Sequence, residues 1–326
     1  MRLSYHPLLA SVLGSSMVDP DIRRLLDTVF RVPPPWPPDV AQLRAAAEAA
    51  PRLLGGAAKQ LAEARDATAG ACNVPVRVYR PVSTVALPLT LFAHGGGWVT
   101  GSLDSHDKLC RILADALPSV VVAVDYALAP ERVFPAALDD VEAAWQWARD
   151  RARELGADGE RFIVAGDSSG GNLAAALTLR LHRLGAVQPD LQLLLYPALD
   201  STCSRASYRE FASGYNLTGA QMAWYWSVYR GEADAALPEL APLSAIVLPA
   251  VPAVVAVAAA DVLRDDGVDY AARLRASGTP VRLVDCAGMI HGFLRWTGEV
   301  PAARRWIDSI AAAARETMQC AKALTS

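Results

Sequence analysis

Ser168 lies in the stretch VAGDSSGGNLAAAL, Val164 to Leu177, between the apolar run RFIVA and an alanine-rich segment. Three glycines (Gly166, Gly170 and Gly171) crowd it, and glycine costs backbone entropy wherever a turn does not require it. Strand, G-x-S-x-G and helix in that order describe a nucleophile elbow, a sharp turn that lifts the Ser168 hydroxyl above a sheet edge. The five-residue pattern alone is weak, since a chain of this size would contain it by chance about one time in ten. A second stretch is far more specific. His94-Gly95-Gly96-Gly97 closes another strand-like run, LPLTLFA, and would arise by chance on the order of 0.002 times. Backbone amides without side chains around them can converge on one point and stabilise a developing oxyanion. Gly95 and Gly96 are the expected donors, with the amide of Ser169 as a third, and Gly97 making the turn.

A serine nucleophile needs a base, and the base needs an orienting acid. Of five histidines, His6 lies in the N-terminal segment, His94 belongs to the glycine turn, His106 follows it closely, and His182 is well along the helix after the elbow. His291, in GMIHGF just past the last strand-like run, remains. The chain order Ser…Asp/Glu…His calls for a carboxylate between the two. Asp265 and Asp266 open a helix and suit its N-terminal dipole. Asp285 ends the last strand-like run and competes with Asp261, which ends PAVVAVAAAD. Asp261 is preferred because it lies one strand from the histidine loop.

These residues need a scaffold that brings strand ends together. From Pro75 onward, short β-branched runs alternate with helical stretches, the pattern of a mostly parallel sheet covered on both faces. The first ~65 residues read as amphipathic helices broken by the rigid PPPWPP. Between Ser201 and Leu248 the alternation stops, and Tyr215, Trp224, Tyr225, Trp226 and Tyr229 accumulate without a strand pattern. Residues 66–200 and 249–326 are therefore expected to form an α/β core, and 1–65 and 201–248 a helical cap.

Composition narrows the function classes. With 52% apolar residues, 20% charged residues and a net charge of −3, the chain has a globular composition and no basic surface for nucleic acid. The five cysteines lie far apart with no C-x-x-C pair, which argues against a disulfide framework or zinc site and for a reducing compartment. No apolar run reaches the ~20 residues of a membrane span, and the N-terminus does not read as a signal peptide.

Taken together, HGGGWVTGSLDSHD, VAVDYALAPERVFPAALDD, GDSSGGNLA, DVLRDDG and IHGF resemble the hormone-sensitive-lipase family of α/β-hydrolase carboxylesterases over nearly the whole chain. The resemblance implies an α/β-hydrolase fold, Ser168, Asp261 and His291 as triad, the glycine turn as oxyanion hole, and a helical cap over a bounded pocket. It further implies a preference for short to medium acyl esters; with the cysteine usage the chain reads as a cytoplasmic ester hydrolase, whose mechanism needs no cofactor or metal. The expected partner is a small-molecule ester, with no nucleic acid or stable membrane insertion; a homodimer is compatible with this reading. Amide or lactone hydrolysis would use the same groups. A non-catalytic receptor on the same fold is disfavoured by the retained His291. Trp98, Phe293 and the cap aromatics are candidates to line the acyl pocket, or equally to belong to the core. Ser169 stands where the family more often has alanine, Val262 where it has proline, and Arg132-Val133 where it has His-Pro; none of these removes a catalytic group.

Overall fold

The computed structural model describes residues 18–32 and 36–325; His6 and the first three prolines of PPPWPP lie outside the described residues. Strand β3 (Leu87–Ala93) and strand β4 (Val120–Val124) are buried at every position. Such runs have no polar face to offer solvent, so they occupy the middle of a sheet covered on both sides. They are joined by β1 (Glu63–Ala69), β2 (Val74–Arg80), β5 (Ala157–Asp167), β6 (Leu191–Leu195), β7 (Ala253–Ala260) and β8 (Val281–Ile290) in one eight-stranded sheet. Its order is β1-β2-β4-β3-β5-β6-β7-β8. The pairs β1–β2 and β2–β4 are antiparallel, and all others are parallel.

The sheet begins at Glu63, inside the stretch that reads as helical from sequence. The sequence of β1, EARDATA, carries charges and no β-branched run. It pairs on one side only, with β2 from Glu63↔Arg80 to Ala69↔Val74. Charged residues on such an edge discourage pairing with another chain, and they also hide the strand from pattern reading.

Helices α1 (Pro20–Thr28), α2 (Val40–Leu54), α3 (Leu103–Ala116), α4 (Ala136–Asp150) and α5 (Ser169–Arg183) precede β6. After it come α6 (Ala206–Glu210), α7 (Gly219–Arg230), α8 (Arg264–Ala276) and α9 (Pro301–Thr325). α3 packs on α9, and α4 on α5. The expected strand-free segment after Asp200 contains only α6, α7 and a single 3₁₀ turn, Pro242–Ser244. It is tied down by the Phe134 amide donating to Tyr229 O (2.8 Å) and Asn172 Nδ2 donating to Leu240 O (2.9 Å). α2 is held from the other side. Arg44 Nε donates to Val99 O at 2.9 Å, and its guanidinium pairs with Glu131 at 2.6 Å.

Register decides which side chains meet. Ala93 pairs with Gly166, Asp167 with Leu195, and Ala260 with Ile290. All these strands run in parallel, so the residues that follow them, His94, Ser168, Asp261 and His291, emerge along one edge of the sheet.

Candidate active site

Ser168 occupies the junction of β5 and α5 with φ 57° and ψ −119°, a conformation that non-glycine residues rarely adopt. Its backbone is pinned from both sides: the Ser168 amide donates to Leu195 O at 2.8 Å, and its carbonyl accepts from the Ala198 amide at 3.2 Å. The turn closes only because Gly170 has no Cβ, which would collide with the carbonyl of Ala93. That contact explains the glycines in VAGDSSGG: elbow and neighbouring strand end share a space that side chains would fill.

The hydroxyl of Ser168 donates to His291 Nε2 at 2.9 Å, and His291 Nδ1 donates to Asp261 Oδ2 at 2.7 Å. A carboxylate only accepts, so the proton sits on Nδ1 and Nε2 is left with its lone pair toward the serine. Asp261 is 1% exposed, and its other oxygen accepts from the Leu263 amide at 3.0 Å, which fixes the carboxylate plane. Tyr196 packs edge-on against the imidazole, ring centroids 4.9 Å apart. Asp285, the competitor, lies within β8 opposite Val257 and is exposed. Asp265 and Asp266 stand in the first turn of α8 and reach backward. Asp265 accepts from the Ser207 amide, and Asp266 from the amides of Leu199 and Asp200. Burial pushes the Asp266 carboxyl well above its ordinary range.

The glycine turn departs from expectation. The Gly95 amide does not face Ser168 Oγ; it donates to Asp167 Oδ1 at 2.8 Å. Gly95 is also absent from the lining of the cavity over Ser168, whereas Gly96 and Gly97 are on it. The glycines that border the cavity are thus Gly96 and Gly97, one position further along than the pair expected from the sequence. Gly97 has φ +62°, and a Cβ there would run into the Tyr225 ring. The Ser169 amide is the first of α5 and has no intrahelical acceptor; the Ser169 side chain is fully buried and does not line the cavity.

Behind the turn lies a buried polar cluster. Burial alone would raise the Asp167 carboxyl. The opposing influence of His106 (Nε2 at 3.3 Å), the charge of Arg295 and the Gly95 amide hold it down at about 2. His94 is stacked on Tyr126 with ring centroids 4.2 Å apart, and Tyr126 Oη donates to His94 O at 2.7 Å. Burial, together with neighbouring His106, lowers His94 to about 3, so it stays neutral and braces the turn through Nδ1 and Gly95 O at 2.9 Å. His182 is exposed at the end of α5. Neither His94 nor His106 reaches the serine.

A cavity of about 830 Å³ opens above Ser168 and His291. Its apolar lining comes from the N-terminal helices and the segment after Asp200, with Leu26, Phe30, Leu43, Met222 and Tyr225 among the contributors. Two expected lining residues are not there. Trp98 is fully buried, stacked on Tyr229 at 4.3 Å and tilted against Trp226 at 4.4 Å. Phe293 is fully buried against Tyr196. Both belong to the hydrophobic core. Tyr225, one of the aromatics of the segment 201–248, does line the cavity with Ser168 and His291.

Known proteins resemble this one throughout that architecture. The α/β hydrolase fold family matches residues 90–295. Carboxylic ester hydrolase LipN of Mycobacterium tuberculosis is 43% identical over 230 residues, 68% of this chain; the match spans only 61% of LipN, about three-fifths of its length. Ethyl acetate hydrolase of Pseudomonas putida is 41% identical over 231 residues, 68% of this chain and 72% of its own. A solved ester hydrolase from the metagenome of Lake Arreo superposes with a TM-score of 0.85 at 37% identity, covering 91% of this chain and 98% of its own. Among the described residues, no helix is long and apolar enough to cross a membrane. By sequence and by fold, the chain belongs to the hormone-sensitive-lipase-like carboxylesterases of the α/β hydrolase fold.

Proposed function

We propose that the protein hydrolyses carboxylic esters through an acyl-enzyme on Ser168. The observation that carries this reading is the unbroken hydrogen-bonded chain from Ser168 Oγ through His291 to Asp261. His291 Nε2 takes the serine proton as Oγ attacks the ester carbonyl, then returns it to the departing alcohol. In the second half-reaction His291 removes a proton from water, which attacks the acyl carbon and releases Ser168. Asp261 keeps the imidazole in the tautomer both steps need and stabilises the imidazolium between them. The amides of Gly96, Gly97 and Ser169 are the proposed donors to the oxyanion. These roles need no metal or organic cofactor.

The helices before β1 and the segment 201–248 act as the cap, and the bounded cavity favours short to medium acyl groups, in keeping with the ethyl acetate hydrolase among the relatives. Five free cysteines suit the cytoplasm. Ser168→Ala should abolish hydrolysis of a soluble short-chain ester in a protein that still folds. An alkylphosphonate should add once, to Ser168; mass spectrometry placing the adduct on Ser169 or elsewhere would overturn the assignment.

A further inference from the structure

Arg295 closes the 3₁₀ turn Phe293–Arg295 that follows His291, and it lines the cavity together with His291, Gly292 and Ser168. Its guanidinium folds back over Gly292, with Nη2 3.4 Å from the position a Cβ there would take. Its Nε is buried without a hydrogen-bond partner. Among the described residues no carboxylate lies within ion-pair distance of it. The buried Nε has thus given up water without a hydrogen bond in return, and the charge of the guanidinium is felt only at longer range by Asp167.

The surrounding charge is consistent with a missing anion. Among the described residues, the ionisable groups on the cavity wall are Arg23, Arg31 and Arg295 against Asp27 and Asp167, with His291 and Tyr225. Asp167 is already engaged by the Gly95 amide and His106. Arg295 is therefore left as a cation at the cavity wall with no ion-pair partner among the described residues, in a chain whose net charge is −3. The guanidinium fork matches the two oxygens of a carboxylate. One unpaired fork suits a monoanion better than a phosphate dianion, for which Asp27 and Asp167 would be unfavourable neighbours.

We infer that the protein's preferred esters carry a free carboxylate, on either the acyl or the alcohol side, and that Arg295 binds it. The inference rests on the ester-hydrolase reading of Ser168 and adds the substrate class to it. Arg295 acts as a specificity residue, taking no part in bond making.

The test compares isosteric pairs that differ only in charge. Monoethyl succinate against ethyl succinamate places the carboxylate on the acyl side; acetoxyacetate against acetoxyacetamide places it on the alcohol side. One pair should show a kcat/KM ratio of about ten in favour of the anion, the size expected of a charge-assisted hydrogen bond. The preference should lie mainly in KM and shrink as salt is added. Arg295→Gln should bring the ratio to about one, and Arg295→Lys should keep part of it. If both amides are hydrolysed by a Ser168-dependent route and neither anion is preferred, the inference fails while the hydrolase reading stands. A ratio that survives Arg295→Gln, with both substrates slowed alike, would likewise assign Arg295 to structure alone. The Ser168→Ala protein supplies a readout independent of turnover: by calorimetry it should bind the anionic member of the preferred pair more tightly, and equal binding of both members of each pair overturns the inference.

Discussion

The Gly95 amide and the Asp167 carboxylate are joined by a 2.8 Å hydrogen bond across 72 positions of sequence. It ties the glycine turn after β3 directly to the residue preceding the nucleophile. The parallel register Ala93↔Gly166 permits this, since it brings the end of β5 beside the turn that leaves β3. One strand leads into the proposed oxyanion donors and the other into the serine, so this bond helps to set their separation.

Asp167 should therefore stabilise the fold in a pH-dependent way. Its carboxyl is held at about 2, below an ordinary aspartate, so its contribution is present above the ordinary value and is lost as the pH falls through 2. Asn at 167 keeps an acceptor for Gly95 but no charge. Asp167→Asn should unfold about 2 kcal/mol more easily near pH 6, and this deficit should shrink as the pH approaches 2. Denaturant unfolding of both proteins at pH 6, 4 and 2.5 checks it; a deficit that ignores pH would mean the charge is not what matters.

Gly97 has a separate role. Alanine there would have to hold φ near +62° and displace the Tyr225 ring, while keeping its amide. Gly97→Ala should thus lower kcat by moving the amide, by up to about a hundredfold if the donor is lost from the oxyanion altogether. Adding Tyr225→Ala removes the collision but not the strained φ, so the double variant should recover part of the rate. Simple additivity of the two losses in kcat would remove the collision from the explanation.

These two glycines also mark where reading the sequence stopped. Composition and spacing located the turn, because four special residues in a row at a strand end are rare. Which amides point at the serine depends on φ and ψ at each glycine, and glycine leaves those open. Asp261 and His291 were readable because parallel strand ends converge wherever the strands pair, and Ala260↔Ile290 do pair. Trp98 and Phe293 adjoin site residues in sequence, but chain adjacency does not say on which side of the sheet edge a ring lies. Arg295 carries no motif at all; only the fold reveals it as a cation at the cavity wall beside His291.

Trp98 and Tyr225 should separate core from pocket. Trp98 is fully buried among aromatic rings, so Trp98→Ala should cost about 3–5 kcal/mol in unfolding free energy. Tyr225 faces the cavity, and Tyr225→Ala should instead change the order of preference among acetate, butyrate and hexanoate esters with a smaller loss of stability. Thermal unfolding and a three-ester kcat/KM series on both variants check this. A shifted chain-length profile in a fully stable Trp98→Ala protein would return that ring to the pocket.

The proposed acid of the triad admits a matched comparison on neighbouring parts of one sheet. Asp261 is buried with its oxygen 2.7 Å from His291 Nδ1, whereas Asp285 is exposed on β8. Asparagine at 261 could present its amide nitrogen to the ring and favour the tautomer with the proton on Nε2, which cannot accept from Ser168. Asp261→Asn should therefore lower kcat by about four orders of magnitude with the fold intact. Asp285→Asn makes the same chemical change where no catalytic partner is near and should cost less than about tenfold. Both are measured as kcat at saturating short-chain ester, with circular dichroism confirming the fold. Asp261→Asn retaining activity while Asp285→Asn is crippled would place the wrong carboxylate in the triad, and the 2.7 Å contact would then have no part in the reaction.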